Sequence, residues 1–408
     1  MKERALLVGI KRPKMTSGQA SASLEELARL VDTAGGEKIA TLKQELKLIT
    51  PATFIGSGKV EEIKRALANG GIDVVVFDDE LSPAQNRNLS DALDVKVLDR
   101  TAVILDIFAK RARTREGELQ VELAQLSYRM TRLTGRGLSL MQQAGYIGNR
   151  GPGETRLEID RRRIRDRISS LRRNLKDVRK SRELHRRRRE GVPIPVVSLI
   201  GYTNAGKSTL MNAMTGANVL VEDKLFATLD PTVRKMKLPN GREVLIADTV
   251  GFIRKLPHHL VESFKATFEE VEASDLLLHV IDASEAECRH QMQVVDDVLS
   301  ELDLSDKPCI KVYNKCDRGD LFVANFEGGV AISAMDGTGL EALAARMDRV
   351  LSHGFKHTHL KVPHTAGAVV SEIYRIGRVS SIRHGKEYIS IDADLPEKLL
   401  GRYKRYCV

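Results

Sequence analysis

The chain lacks tryptophan altogether, is only 4% aromatic and contains four cysteines among its 408 residues. The cysteines show neither the spacing of a metal site nor that of a disulfide framework. No apolar run approaches the roughly 20 residues that span a bilayer, and the apolar stretch near the start is too short for a secretory signal. These absences argue against disulfide-rich secreted proteins and membrane-spanning proteins. We therefore expect a cytoplasmic protein, with peripheral membrane association left open.

The net excess of positive charge is confined to one stretch of the sequence. The net charge is +10, and the segment from Asp160 to Glu190 holds fifteen Lys/Arg and five Asp/Glu, which accounts for all of it. The remaining residues hold fifty of each sign and sum to zero. A charged helix face is often merely solvated, but so concentrated a basic segment favours a polyanionic partner.

The most informative motif is a glycine loop that follows the apolar run Val196–Ile200 and precedes an apolar helical face. Strand, glycine loop and helix are the context of a phosphate-binding P-loop. Glycines let backbone N–H groups approach a triphosphate, and the helix presents its positive end to it. Lys207 would contact the β- and γ-phosphates, and the Ser208 hydroxyl would bind Mg²⁺. The predicted nucleotide contacts here are Gly201, Tyr202, Thr203, Asn204, Ala205, Gly206, Lys207, Ser208 and Thr209.

Two later motifs are typical of switch segments that respond to a γ-phosphate. FATLDP offers Thr228 or Thr232 to Mg²⁺ and the γ-phosphate, and we favour Thr228. DTVG follows a predicted strand, so that Asp248 could hold Mg²⁺ through water and the Gly251 N–H could meet the γ-phosphate. The predicted contacts are Phe226, Ala227, Thr228, Leu229, Asp230, Asp248, Thr249, Val250 and Gly251. The predicted catalytic residues are Lys207, Thr228 and Gly251, and the predicted metal ligands are Ser208, Thr228 and Asp248.

Two further motifs predict recognition of guanine. The Asp317 carboxylate, in Asn-Lys-Cys-Asp, could accept both the N1 and N2 hydrogens of guanine, whereas adenine would leave it unpaired. Sites of this kind can discriminate by ~10⁴–10⁵. A backbone N–H in Ser-Ala-Met could meet guanine O6. The predicted base contacts are Asn314, Lys315, Asp317, Ser333, Ala334 and Met335.

Many GTPases carry a glutamine after this DxxG motif, and it orients the attacking water. The equivalent residue here is Phe252, which can neither orient water nor move a proton. We therefore predict intrinsic hydrolysis that is slower by roughly 10³–10⁵, so that a bound partner or another residue must assist. His258 or His259 could assist, but we favour a solvent-facing helix start after Pro257.

The overall pattern predicts an α/β multidomain fold. We expect an N-terminal α/β domain at 1–100, a helical arm at 101–192, a P-loop GTPase domain at 193–352 and a small C-terminal α+β module at 353–408. Residues 353–364 read as a linker that contains a strand. Two arm segments carry apolar residues at heptad spacing, which predicts a long antiparallel helical hairpin with a tip loop at 135–155.

The segment from Gly135 to Gly153 contains six glycines and two arginines. So long a loop is usually functional or disordered, and arginine binds phosphate and stacks on exposed bases. We favour RNA contact over a merely solvated surface. The predicted contacts are Arg136, Arg150, Arg156, Arg186, Arg187, Arg188 and Arg189.

A second glycine motif lies at Gly56–Lys59 and superficially resembles a phosphate loop, but it lacks the full spacing. We favour a turn that starts a helix. The weaker alternative is a separate ATP-dependent activity of the N-terminal domain, such as RNA remodelling.

Four segments, GYTNAGKST, FATLDPT, DTVGFI and the upstream GPGET, resemble the HflX family of translation-factor-class GTPases. The resemblance covers roughly Ala5–Leu351. It implies GTP hydrolysis with Mg²⁺ as cofactor, binding of the large ribosomal subunit and its ribosomal RNA, and splitting or rescue of stalled ribosomes under stress. It also implies that the tip of the arm lies near the peptidyl-transferase region.

The residues leave a second function open, namely a GTPase that regulates a protein partner through a coiled-coil arm. Salt dependence separates the two, because contacts with phosphate weaken steeply as salt rises. We expect a monomer that reads no DNA sequence.

Overall fold

The structure is a computed structural model, and it describes residues 2–13, 15–133, 152–188, 194–216, 224–255, 257, 265–319, 321 and 328–408. The chain divides into two compact units. The first comprises Met1–Arg179, Lys224–Leu229 and Arg254–Lys265, and the second comprises Lys180–Asp223, Asp230–Ile253 and Ala266–Val408. Two short segments that follow the phosphate loop in sequence thus belong to the N-terminal unit.

The first unit is built on a parallel four-stranded sheet in the order β2-β1-β3-β4. Its strands are β1 (Arg4–Lys11), β2 (Glu37–Glu45), β3 (Val74–Phe77) and β4 (Lys96–Asp99). Its first helices are α1 (Ser17–Ala34), α2 (Ser57–Ala68), α3 (Pro83–Leu93) and α4 (Arg100–Arg111). Strand β3 is apolar and fully buried, as central parallel strands are. Because β3 and β4 run parallel, the polar residues that follow β3 and end β4 lie at the same edge of the sheet.

Two long helices follow, α5 (Arg115–Leu133) and α6 (Pro152–Arg188). Their heptad-spaced apolar side chains form one cluster, in which Leu123, Ile168, Leu171 and Leu175 are buried. The Arg167 guanidinium adds a two-point contact to Glu122, at 2.7 and 2.8 Å. The tip loop is shorter than predicted, because residues 152–155 form the first turn of α6, where proline is readily accommodated. The rest of the predicted tip lies outside the described residues.

The second unit contains a six-stranded sheet in the order β10-β9-β8-β5-β7-β6, in which only β6 is antiparallel to its neighbour. Its strands are β5 (Val196–Gly201), β6 (Thr232–Lys237), β7 (Glu243–Asp248), β8 (Leu276–Asp282), β9 (Cys309–Asn314) and β10 (Val330–Ala331). The helices are α7 (Lys207–Thr215), α8 (Lys265–Glu272), α9 (Cys288–Glu301) and α10 (Leu340–Leu351). The carboxyl ends of the parallel strands β5, β7, β8 and β9 therefore meet at one edge, where ligands bind in such sheets.

The chain ends in a three-stranded antiparallel sheet in the order β11-β13-β12. Its elements are β11 (Phe355–Pro363), α11 (Gly367–Ile376), β12 (Arg378–His384), β13 (Tyr388–Pro396) and α12 (Leu400–Tyr403). The strand predicted within residues 353–364 is present as β11. The interpretation of this segment as a linker is wrong, because β11 pairs with β13 along its whole length and its Leu360 and Val362 enter the core. Arg242 directly precedes β7 of the six-stranded sheet. Its guanidinium donates to the Leu351 carbonyl at the end of α10 and lies over the Phe355 ring at the start of β11, so it links the two sheets.

Among the described residues, every helix is too short or too polar to cross a membrane.

Candidate nucleotide-binding site

The predicted phosphate loop connects the end of β5 to the start of α7, as the motif requires. Gly201 and Gly206 have φ values of +148° and +93°, which residues other than glycine rarely adopt. A Cβ on Gly201 would lie 2.2 Å from the Val280 carbonyl oxygen, and one on Gly206 would lie 2.2 Å from the Asn314 amide nitrogen. Any larger residue at either position would thus displace the loop.

Lys207 is buried at the first position of α7. Its ammonium donates to the carbonyl oxygens of Gly201 and Tyr202, at 3.1 and 2.8 Å. Burial lowers the pKa of Lys207 to about 8, and the nearby Asp248 carboxylate only partly opposes this shift. The structure therefore holds the cation inside the curve of the loop, where a phosphate oxygen could take over its hydrogen bonds.

The lowered pKa of Lys207 predicts that GTP binding weakens as the pH rises through 8. The triphosphate requires the ammonium form, so the free protein must regain a proton above pH 8 before it can bind. Between pH 7 and pH 8.5 the apparent affinity should fall about fourfold. Titration with a fluorescent GTP analogue measures this, and Lys207→Met should bind weakly with no such dependence. A pH-independent affinity in the unaltered chain would contradict the assignment.

Two of the three predicted metal ligands lie together. The Ser208 hydroxyl donates to the Asp248 carboxylate at 2.6 Å, at the point where α7 begins and β7 ends. Nearby in sequence, the Thr203 hydroxyl oxygen is buried and has no hydrogen-bond partner within the described parts of the chain. A hydroxyl and a carboxylate are the hard oxygen donors that Mg²⁺ prefers, and few protein ligands suffice when phosphates supply the rest. These residues fit a nucleotide-bound Mg²⁺ ion.

The DTVGF segment is fastened to the phosphate loop through its backbone. The Phe252 N–H donates to the Gly201 carbonyl at 3.1 Å, and the Phe252 carbonyl accepts from Thr203 N–H at 2.8 Å. A Cβ on Gly251 would lie 2.8 Å from the Thr203 Cα and 2.9 Å from the Lys207 ammonium, so a side chain there would displace the backbone of the phosphate loop. The Thr249 hydroxyl donates to the Leu199 carbonyl at 2.7 Å and therefore serves the fold.

The Phe252 side chain is buried and stacks on Phe268, with ring centroids 5.6 Å apart and an interplanar angle of 4°. Its ring is thus part of the core and contributes no polar group to the site. The sequence-based inference that this position cannot orient water is in keeping with that geometry. His258 and His259, the candidate helpers, lie outside the described residues.

The base-recognition motif is tied to the phosphate loop by side chains. The Asn314 amide donates to the Ala205 carbonyl and accepts from Ala334 N–H, both at 2.9 Å. Lys315 donates to the Asn204 carbonyl at 2.9 Å. The three loops that would contact base and phosphates therefore form one connected unit. The Ala334 N–H, a candidate donor to guanine O6, is bonded to Asn314 in this structure.

Sequence reasoning missed Asp282 at this site. Its carboxylate lies 2.6 Å from the Lys315 ammonium and accepts hydrogen bonds from Ser284. The sequence did contain a signal for it, because Asp282 ends the largely apolar stretch LLLHVID, which forms a fully buried strand. Asp317 and Met335 are exposed, as side chains that meet a ligand from outside would be.

The remaining predicted residues are divided between the two units or lie outside the described residues. Phe226, Ala227, Thr228 and Leu229 belong to the first unit, whereas Asp230 belongs to the second. Arg136, Arg150 and Arg189 lie outside the described residues, and Arg156, Arg186, Arg187 and Arg188 are placed only as part of helix α6. Gly56 is the N-cap of α2, with an ordinary φ of −69°, so the helix-start interpretation of Gly56–Lys59 is confirmed.

Family profiles match three consecutive parts of the chain. Residues 21–109 match the profile described as GTP-binding GTPase N-terminal, residues 111–189 match GTP-binding GTPase Middle Region, and residues 196–315 match 50S ribosome-binding GTPase.

Curated relatives match the chain over nearly its whole length. The sequence is 47% identical over 407 residues to GTPase HflX of Caldanaerobacter subterraneus subsp. tengcongensis, covering 100% of this chain and 94% of that protein. It is 43% identical over 400 residues to GTPase HflX of Escherichia coli (strain K12), covering 96% and 92%. A crystal structure of SsGBP with GDP is 26% identical, with a TM-score of 0.46, over 86% of this chain and 98% of that one.

Proposed function

Because the chain belongs to the HflX family of GTPases, we propose that its GTP cycle controls binding to the large ribosomal subunit and the splitting or rescue of stalled ribosomes under stress. GTP binding and hydrolysis, and membership of a ribosome-binding class of GTPases, follow from the family itself. The choice of the large subunit is supported by the description of the profile that residues 196–315 match, since 50S denotes that subunit. Such a factor would act in the cytoplasm, where ribosomes translate.

The observation that carries the proposal is the division of α6 into two faces. Its apolar residues are buried against α5, whereas six arginines between residues 162 and 173 are solvent-exposed along the same turns. Guanidinium groups contact phosphate oxygens in two-point geometry, and a row of them suits the backbone of folded RNA. The exposed arginines of the described part are Arg162, Arg163, Arg165, Arg167, Arg172 and Arg173.

A coiled-coil partner is less well supported. Such a partner needs an apolar seam to pack against, but the seam of α5 and α6 is already buried within this chain, with Leu171 fully inaccessible. A protein partner held mainly by charge would remain, and its binding would respond to salt less steeply than binding to ribosomal RNA.

In the proposed cycle, GTP is bound by the phosphate loop and read by Asp317, and its γ-phosphate draws in the Gly251 N–H and the Thr228 hydroxyl. Ser208 and Asp248 would hold the Mg²⁺ ion, which neutralises phosphate charge when it is bound. Hydrolysis would release both switch segments and weaken the grip on the ribosome. The predicted RNA contacts of the arm and the four predicted domains are part of this proposal, as is a monomeric state.

Because Phe252 cannot orient the attacking water, we expect large ribosomal subunits to accelerate GTP hydrolysis. Turnover by the isolated chain should be slow, and saturating large subunits should raise it by about 10²-fold or more, because the ribosome must supply the water-positioning group. Steady-state phosphate release, with small subunits as the matched control, measures this. Equal rates with and without large subunits would contradict the proposal.

A further inference from the structure

The hairpin formed by β6 and β7 ends in a closely hydrogen-bonded turn. The Leu238 N–H donates to the Arg242 carbonyl, and the Gly241 N–H donates to the Leu238 carbonyl, both at 2.8 Å. Gly241 has a φ of +86°, and the Asn240 side-chain oxygen accepts from the Arg242 N–H at 2.9 Å. These bonds fix the directions in which the side chains of Asn240 and Arg242 leave the turn.

The opposite end of the same hairpin lies at the nucleotide site. Strand β7 ends at Asp248, a proposed Mg²⁺ ligand, and Thr232 at the start of β6 is its cross-strand partner. The pairing continues without a register shift to Lys237 and Glu243 beside the turn. Each strand has six residues, which corresponds to a length of about 20 Å. Because regularly hydrogen-bonded strands are stiff, a displacement at the metal site reaches the turn.

The turn is fastened to the end of helix α10 and to the start of β11. The Asn240 amide donates to the Asp348 carboxylate at 2.5 Å. The Arg242 guanidinium donates at 3.2 Å to the carbonyl of Leu351, the last residue of α10. It also lies over the Phe355 ring, 4.5 Å from the ring centroid. Two side chains of the turn therefore hold the point at which α10 leads into β11.

Arg242 is an unusual residue for this position, because it is only 3% exposed. Its Nε atom has no hydrogen-bond partner among the residues that the structure describes. Burial lowers the pKa of its guanidinium, and the carboxylates of Asp348 and Asp275 oppose that shift only in part. A buried cation costs free energy unless it is compensated. Here the compensation comes from the negative end of α10 and from the face of the Phe355 ring, so the charge is matched to this junction.

The junction leads directly into the C-terminal sheet, which consists of β11, β13 and β12. Phe355 pairs with Pro396 at one end of the β11–β13 ladder, which continues through all nine residues of β11. The Gly354 carbonyl accepts from the Glu397 N–H at 3.1 Å. The C-terminal sheet has its own hydrophobic core, separate from the core of the six-stranded sheet. A movement of Phe355 would therefore turn the C-terminal sheet as one body.

We propose that Arg242 is a positioning residue that couples the nucleotide state to the orientation of the C-terminal sheet, through its contacts with Leu351 and Phe355. The hairpin lies between the two switch segments in the sequence. In the GTP cycle proposed above, the γ-phosphate draws in Thr228 before the hairpin and Gly251 after it, which shifts the turn and loosens the contacts of Arg242. The inference rests on that cycle but requires no ribosome.

Hydrogen exchange of the whole chain tests this, with GDP compared with a non-hydrolysable GTP analogue. Amides of residues 352–357 should exchange about fivefold faster with the analogue than with GDP. Arg242→Met should abolish this difference, because methionine fills a similar volume but neither caps α10 nor attracts the ring as a cation. Arg242→Lys should retain most of the difference, because an ammonium can make both contacts.

Nucleotide affinity gives a second readout with a defined sign. If GTP must loosen the contacts of Arg242, a chain without them binds GTP more easily relative to GDP. By linkage, Arg242→Met should raise the ratio of analogue affinity to GDP affinity by up to about fivefold. General damage to the fold would instead weaken both nucleotides together.

Two further variants complete the test. Asp348→Ala removes the acceptor of Asn240 while Arg242 stays in place, and it should reduce the exchange difference by about twofold or more, so the test does not depend on how well Arg242→Met folds. The matched control is Arg234→Met, which removes an exposed arginine of β6 that donates to the Val233 carbonyl. It should leave the difference intact.

Three results would overturn the inference: no exchange difference in the unaltered chain, an equal difference in Arg242→Met, or an affinity ratio that does not rise in that variant. Failure of the chain to bind ribosomes would overturn only the proposed function.

Discussion

Replacing Asp317 with asparagine should weaken GTP binding by about 10³-fold or more. The carboxylate is the acceptor proposed for the N1 and N2 hydrogens of guanine, and an amide would set a donor against the N2 amino group. Xanthine carries an oxygen at that position, so Asp317→Asn should bind xanthosine triphosphate better than GTP. Equilibrium titration with fluorescent GTP, ATP and xanthosine triphosphate measures all three affinities.

The control for this variant is Asp306→Asn, which changes an exposed aspartate elsewhere in the same unit. It should leave the preference for GTP unchanged. The effect should be confined to the base, because the contacts of Asn314 and Lys315 with the phosphate loop do not involve Asp317. Retained discrimination between GTP and ATP in Asp317→Asn would refute the assignment of this residue.

Neutralising the exposed arginines of α6 should have the second largest effect, and it should fall on ribosome binding alone. The quintuple variant replaces five of them by glutamine, namely Arg162, Arg163, Arg165, Arg172 and Arg173. Each lost phosphate contact should reduce the dependence of log affinity on log salt by about 0.7–0.9, and the affinity for large subunits should fall by about 10²–10⁴ at moderate salt. Sedimentation at several salt concentrations gives both quantities.

Deleting residues 135–153 is the complementary variant. It should abolish effects on ribosomes while nucleotide binding persists, because no phosphate-loop contact described above involves the arm. The control for the charge variant replaces exposed basic residues outside α6 by glutamine, namely Lys47, Lys64, Arg65, Lys356 and Arg383. Equal losses in both charge variants would point to net charge instead of a specific surface, and loss of nucleotide binding on deletion would make the arm structural.

The elements of the nucleotide site could be predicted from the sequence because each motif is local. A buried strand, a glycine turn and an apolar helical face occupy adjacent residues, and they form β5, the phosphate loop and α7. Asp248 and Asn314 each end a strand, as their motifs require. The heptad spacing of α5 and α6 similarly predicts which side chains pack, since helical periodicity fixes the face on which they lie.

Contacts between residues that are far apart in the sequence leave no such local pattern in it. The Lys255 ammonium lies 2.5 Å from an Asp78 oxygen, although the two residues are 177 positions apart. Nothing in the sequence around Lys255 distinguishes it from a lysine on the surface. The bridging roles of Asn314 and Asp282 depend on which strands become neighbours, which a single sequence does not specify. The sequence predicts a strand within residues 353–364 but not that it belongs to a sheet, because its partner β13 lies about 30 residues further along the chain.

The affinity of the chain for purified large ribosomal subunits, with a non-hydrolysable GTP analogue and with GDP, tests most directly whether nucleotide controls ribosome binding. We predict binding that is about tenfold or more tighter with the analogue, with a steep decline in affinity as salt rises. Indistinguishable affinities for the two nucleotide states would contradict the account.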